Sequence, residues 1–325
     1  MSKQNNSLLC HVRNIQGDTY FILVDITEEA VESVAHKISG GSGPGGTDLE
    51  AQQGWILKFS EDSTRLRTSV ETFVDWLANG IPPWAAYRAF MPGRLIVLDK
   101  QPAVRLVGIV EIWRRLFSNI VLKFTGPEET IAYQDEQLCA VLKAGIDGTF
   151  HGVQYIWDKN STMEDWRLLI LDPNNALNDI NQVGMLLVFR HLWLPRACFI
   201  FNCYHHWSSI FLRNGNGIAS FLHSKEGVMQ RDPLKIIAYR IGILPLINNL
   251  KQEISDVTQL WYAENARYLG TFTRIETYFY SLTFQGPGRR YYPELSKRVL
   301  ILHPENLKAG KELGARHGFK VGTGA

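Results

Sequence analysis

Cysteine is scarce and scattered: Cys10, Cys139, Cys198 and Cys203 are the four in 325 residues, with no Cys-x-x-Cys pair. That pattern excludes a disulfide framework or a zinc module and fits a reducing compartment. No apolar run reaches the ~20 residues of a membrane-spanning helix before Arg, His or Pro interrupts it, so no membrane association is expected. The opening residues, MSKQNNSLLCHVRN, carry no apolar signal core, and an intracellular protein is expected. No internal repeat argues for a solenoid, and no Gly-x-Ser-x-Gly marks a hydrolase nucleophile. Charge of one sign is not in excess either: 34 Lys and Arg against 32 Asp and Glu leave +2, which gives no global basic field.

What is present is ordinary globular material, 45% hydrophobic, 20% charged and 11% aromatic. The charge is uneven, because residues 286–325 hold eight basic residues against three acidic ones and form a basic C-terminal face. Gly40 to Gly46, with Pro44 inside, reads as a flexible joint. Ser63 to Gly80 spaces Leu66, Val70, Phe73, Val74 and Leu77 as a helix. Arg94–Leu98 reads as a strand, and Val104–Phe124 as a helix with Arg114 and Arg115 on its solvated side. A short helix is expected at Gln137–Ala144, a strand at Val153–Ile156 and another at Trp166–Leu171. Asp172 follows that last strand, with Pro173 and a helical run from Ala176 to Trp193 beyond. It can be a helix N-cap or a strand-end carboxylate serving metal chemistry.

Further on, Ser208–Arg213 and Ile218–Leu222 flank Asn-Gly-Asn-Gly and form a hairpin signal. A long helix spans Leu234–Leu250, and a second hairpin turns at Glu264-Asn265. Arg298–Leu302 is a strand and Pro304–Leu313 a closing helix. The run Cys203-Tyr-His205-His206-Trp207 cannot furnish four tetrahedral ligands from one element, so it reads as packing and not as a metal site. Trp76, Trp84 and Trp113 fall at helical spacing with aliphatic residues, which favours core packing over an exposed interaction surface.

Three ordered blocks together resemble the reverse transcriptases, of the type carried by non-LTR retrotransposons, from about Gly54 to the C-terminus. Leu-Leu-Ile-Leu-Asp172-Pro-Asn-Asn-Ala-Leu177 is similar to the first palm motif, Glu226-Gly-Val-Met-Gln230-Arg231-Asp-Pro-Leu to the second, and Trp261-Tyr-Ala-Glu264-Asn265 to the third. The resemblance implies an α/β (α+β) right-hand polymerase with fingers and palm, the palm an antiparallel sheet backed by helices, and no thumb in this chain. Residues 1–53 would be an N-terminal segment with the Gly-rich joint, 54–160 fingers-like, and 161–325 palm-like with a basic end.

The implied activity is RNA-directed DNA polymerisation: a nucleotidyltransferase that adds deoxynucleoside triphosphates to a DNA primer on an RNA template, in the nucleus if it copies onto chromosomal DNA. Asp172, Glu264 and Asn265 would be the catalytic set. Asp172 and Glu264 would hold Mg2+, or Mn2+ with its looser geometry. Lys100, Arg105, Leu177, Gln230, Arg231 and Lys297 would line the nucleotide site, Lys100 and Arg105 from the fingers segment and Lys297 from a late palm strand. Three departures weaken that centre. The third motif is usually Tyr-Ala-Asp-Asp, so Glu264 keeps the charge with an extra methylene and Asn265 loses it. Arg231 stands where the family has glycine and is expected to occlude the pocket or to pair with the acidic residues. Two-metal phosphoryl transfer needs ions ~3.5–4 Å apart, and magnesium holds its oxygen ligands in strict octahedral geometry. The expectation is therefore a degenerate copy, weakly active or inactive, or a non-catalytic nucleic-acid-binding relic.

Overall fold

The computed structural model describes residues 24–101, 103–133, 145–160, 162–192, 194–213 and 219–324. Helices α1 (Glu28–Ala35), α2 (Leu49–Leu57), α3 (Ser60–Asn79) and α4 (Trp84–Tyr87) precede strands β1 (Gly93–Lys100) and β2 (Ala103–Val110). Helices α5 (Ile112–Tyr133) and α6 (Gly145–Lys159) lead to β3 (Trp166–Leu171). Then come α7 (Ala176–Asp179), α8 (Gln182–Leu192), α9 (Leu194–Tyr204) and the hairpin β4 (Ser208–Arg213) and β5 (Ala219–Ser224). The chain continues through α10 (Lys235–Glu253), β6 (Thr258–Tyr262), β7 (Asn265–Thr271), α11 (Phe272–Gln285), β8 (Val299–Leu302), α12 (Leu307–His317) and β9 (Lys320–Thr323).

The fold is mixed α/β with two sheets, ordered β2-β1-β4-β5 and β6-β7-β3-β8-β9. Neither is wholly antiparallel: β1 runs parallel to β4 and β8 parallel to β9, while the other pairs are antiparallel. The expected all-antiparallel sheet is corrected by β9, a strand that only the register with β8 creates. β3 lies at the centre of its sheet, which explains its unbroken apolar run: Leu168, Leu169 and Leu171 are all buried.

Two expected elements change type. Val104–Val110 is strand rather than helix, zipped antiparallel to β1 from Gly93↔Val110 to Lys100↔Ala103. Its β-branched residues fit either pattern locally, and the partner strand only a few residues upstream decides. Conversely, Val153–Ile156 lies inside α6, where Val153, Ile156 and Trp157 face Leu168, Leu260 and Leu269 at helical spacing. The helix expected at Gln137–Ala144 lies outside the described residues.

The glycine run is not a free joint. Arg115 reaches back to the carbonyls of Ser39 and Gly41, and the Glu111 carboxylate accepts from the Gly45 N–H. A side chain at Gly43 would meet the Glu111 backbone at 2.6 Å, so glycine permits the close approach. Arg114 and Arg115 are likewise buried, not solvated. Helix α5 buries Ile112, Leu116, Phe117, Ser118, Ile120 and Val121 as well, so this turn of the helix has no wet side. Of the three tryptophans expected in the core, Trp84 and Trp113 pack against it and Trp76 is 43% exposed.

Candidate active site

Strand register brings the first and third motifs together. Leu171 pairs with Ala266, and Ala266 with Trp261, so Asp172 leaves β3 at the end of the sheet where Asn265 enters β7. Tyr262 pairs with Asn265, which makes Ala263-Glu264 the two-residue tip and Asn265 the first residue of β7, a shift of one from the expected turn. Ala263 takes φ 50°, the left-handed region that such tight hairpins demand and that alanine seldom occupies. Asn175 at φ 49° and Arg290 at φ 60° are two further left-handed residues close by in sequence to Asp172 and Tyr291.

Asp172 does not cap a helix. Its Oδ2 accepts from Lys297 Nζ at 2.6 Å, and its carbonyl accepts from the Glu294 N–H. Asn174 N–H bonds the Tyr292 carbonyl, and Pro173 bridges to Pro293, so the chain after β3 is stitched to the segment before β8. Helix α7 starts only at Ala176 and ends at Asp179, and Asn181 then caps α8 through Gly184 N–H, dividing the single helix expected from Ala176 to Trp193.

Beneath the motifs lies a buried aromatic layer of Tyr239, Trp261, Tyr268, Tyr278 and Tyr291. Trp261 sits edge-on to Tyr268 at 5.7 Å and close to Tyr291 at 5.5 Å. Gln259 Oε1 accepts from both Trp261 Nε1 and Tyr278 Oη, which fixes the hairpin to α11. The Tyr239 hydroxyl is buried without a hydrogen-bond partner among the described residues. Its acidity is suppressed by burial first, then by Tyr291, Glu264 and Asp172. Burial leads for Tyr291 also, with Asp172 and Glu264 adding to it. Both carboxylates therefore bear on the same two phenols in the same direction.

The second motif packs on the first. Gly227 N–H bonds Ile180 O and Val228 N–H bonds Leu177 O, while Leu177 itself packs on the core. At φ +75°, a side chain on Gly227 would lie 2.1 Å from the Asn178 carbonyl oxygen. Glu226 accepts from the first N–H of α8 and faces Arg290 at 3.7 Å. Gln230 is half-buried in the same loop. Arg231 departs from expectation: its N–H bonds Gly108 O of β2, its side chain is exposed, and it pairs with neither Asp172 nor Glu264. The cation at Asp172 is Lys297 instead. Lys100 and Arg105 stand on the β1–β2 hairpin, in the other sheet from Asp172.

Sequence reasoning missed a buried ion pair below this loop. Arg114 Nη2 meets Asp232 Oδ2 at 2.5 Å with both side chains wholly buried, Tyr204 Oη donates to the same oxygen, and Leu234 N–H bonds Oδ1. Burial depresses the Arg114 pKa, but the Asp232 carboxylate, together with Cys203 and Tyr204, outweighs it and holds the guanidinium above its ordinary value. The available signal was Arg114 at i−3 and i−7 to buried Phe117 and Val121.

Among the described residues, no three His, Cys, Asp or Glu side chains gather as a metal-holding group. Two carboxylates, one tied to an ammonium group, and a neutral amide do not fit a pair of divalent ions.

No protein-family model matches the sequence, and no curated protein is significantly similar to it. Solved structures are similar in shape. Apo telomerase from Candida tropicalis superposes with a TM-score of 0.52 at 10% identity, over 79% of this chain and 55% of that one. The same telomerase truncated from its C-terminal domain gives 0.50 at 12% identity, over 79% and 63%. Telomerase from Candida albicans, in complex with the TWJ fragment of telomeric RNA, gives 0.52 at 9% identity, over 73% and 47%. The chain spans less than two thirds of each, and at such identity the likeness shows the fold alone, which is reverse-transcriptase-like.

Proposed function

We propose that this protein is a reverse-transcriptase-like chain of the non-LTR retrotransposon kind whose phosphoryl-transfer centre is disabled and whose remaining activity is binding of RNA template and DNA primer. In this reading residues 54–160 are fingers and 161–325 palm. Asp172 and Glu264 are the surviving acidic residues of a centre that once used Mg2+, and Lys297 has become the counterion of Asp172. The observation that supports the proposal is the register of β3, β7 and β6, in which Asp172 leaves β3 at the sheet end where uncharged Asn265 enters β7. Lost charge there matters more than the Lys297 contact, because both partners of that ion pair are partly exposed and such pairs contribute ~1 kcal/mol or less.

A labelled RNA–DNA primer–template tests both halves. Fluorescence anisotropy should show binding that weakens steeply with salt, as phosphate contacts require, and incubation with deoxynucleoside triphosphates and Mg2+ should leave the primer unextended. Rapid extension would overturn the loss of catalysis, and absence of salt-sensitive binding would overturn the retained function.

A further inference from the structure

A second site lies away from Asp172, where α4 and the turn after it meet the base of the β4–β5 hairpin. A cavity of about 430 Å³ opens there between Trp84, Arg88, Met91 and Pro92 on one side and Trp207, Ser208, Ser209 and His223 on the other. That volume falls in the range of sites that enclose small organic groups.

Its chemistry is specific. Trp84 is braced edge-on by Tyr87 at 5.1 Å and at a tilt by His206 at 4.5 Å, so its ring is held rather than free to turn. Burial keeps His205 and His206 neutral at pH 7, and these imidazoles act as packing. Trp207 is 51% exposed, and Lys225 Nζ sits 4.2 Å from its ring centroid. Arg88 is exposed, and among the described residues it has no carboxylate partner and no Asp or Glu lines the cavity. Ser208, Ser209 and His223 add groups that can donate or accept hydrogen bonds.

We infer that this cavity holds an unpaired nucleobase of a single-stranded nucleic acid, stacked on Trp207 and Trp84, with the flanking phosphates on Arg88 and Lys225. Two indoles beside an exposed Arg88 and a Lys225 that already lies against the Trp207 ring match a flat π-face joined to a negative backbone. An acidic peptide would satisfy the cations and leave the indoles without a partner. The site is independent of the palm reading and stands if that reading fails.

A short single-stranded oligodeoxynucleotide carrying one 2-aminopurine tests it, because stacking on indole quenches that base. The native chain should bind and quench the probe. Trp207→Leu should abolish most of the quench and weaken binding about tenfold. Arg88→Ala with Lys225→Ala should weaken binding and lower the slope of log K against log salt by about 1.4, at ~0.7 per phosphate contact on a single strand. Trp84→Phe, which keeps a ring in the packed position, should retain the fold and a partial quench. Quenching and affinity unchanged in Trp207→Leu would overturn the inference. So would a polyglutamate peptide whose binding requires Trp207 while oligonucleotide binding does not.

Discussion

Replacing Arg114 with methionine leaves the Asp232 carboxylate buried without its cation. Arg114 Nη2 is 2.5 Å from Asp232 Oδ2, Nη1 bonds the Met91 carbonyl, and the guanidinium lies 4.9 Å over the Tyr204 ring, all with both charged side chains wholly buried. Truncating one partner of such a pair costs about 3–5 kcal/mol, because the other charge remains without compensation. That is a loss of two to nearly four decades in the folded-to-unfolded ratio. Tyr204→Phe removes one donor to the same carboxylate and leaves the ion pair, so it should cost about 1 kcal/mol. The pair also holds the second-motif loop: in Arg114→Met the amides of Gly227, Val228 and Arg231, now bonded to Ile180, Leu177 and Gly108, should exchange hydrogen faster. Urea unfolding followed by circular dichroism gives the energies, and hydrogen exchange gives the loop. An Arg114→Met loss under ~1 kcal/mol, or one no larger than that of Tyr204→Phe, would refute the reasoning, since neither is compatible with an uncompensated buried charge.

Gly227→Ala should cost more than ~2 kcal/mol, from left-handed backbone plus collision with the Asn178 backbone, read as a lowered urea midpoint. Asn202 donates to the carbonyls of Leu77 and Gly80 at the end of α3, and Asn202→Leu should cost about 2–3 kcal/mol in the same assay because both acceptors lose their donor. Burial, then His206, pushes His205 down to about 4, against a bond to the Phe201 carbonyl that raises it. The unfolded chain takes up that proton near 6.5, so the stability is whole above 6.5 and is lost as pH falls toward 4, with a slope of at most ~1.4 kcal/mol per pH unit. His205→Gln should flatten that slope in unfolding curves taken across the window, and an unchanged slope would contradict it.

What could be read in the sequence was what depends on near neighbours. Trp166–Leu171, the β4–β5 pairing, the third-motif hairpin and α3 follow from local apolar pattern and turn residues, and they delivered Asp172 and Glu264 to one end of one sheet. What could not be read depends on distant partners. Val104–Val110 has the composition of either element until β1 lies beside it. Arg114 looks like a surface cation until Asp232, 118 residues away, is folded over it. Lys297 meets Asp172 across 125 residues, and nothing near Arg231 in sequence signals that its backbone, not its charge, is what the fold uses.

Primer extension on an RNA template, run with the native chain, with Glu264→Asp plus Asn265→Asp, and with that pair plus Asp172→Asn, tests the central claim most directly. The account predicts no extension by the native chain in Mg2+, measurable extension once both positions are aspartate, and its loss again without Asp172. Extension by the native chain, or extension by the restored chain that survives Asp172→Asn, would contradict it.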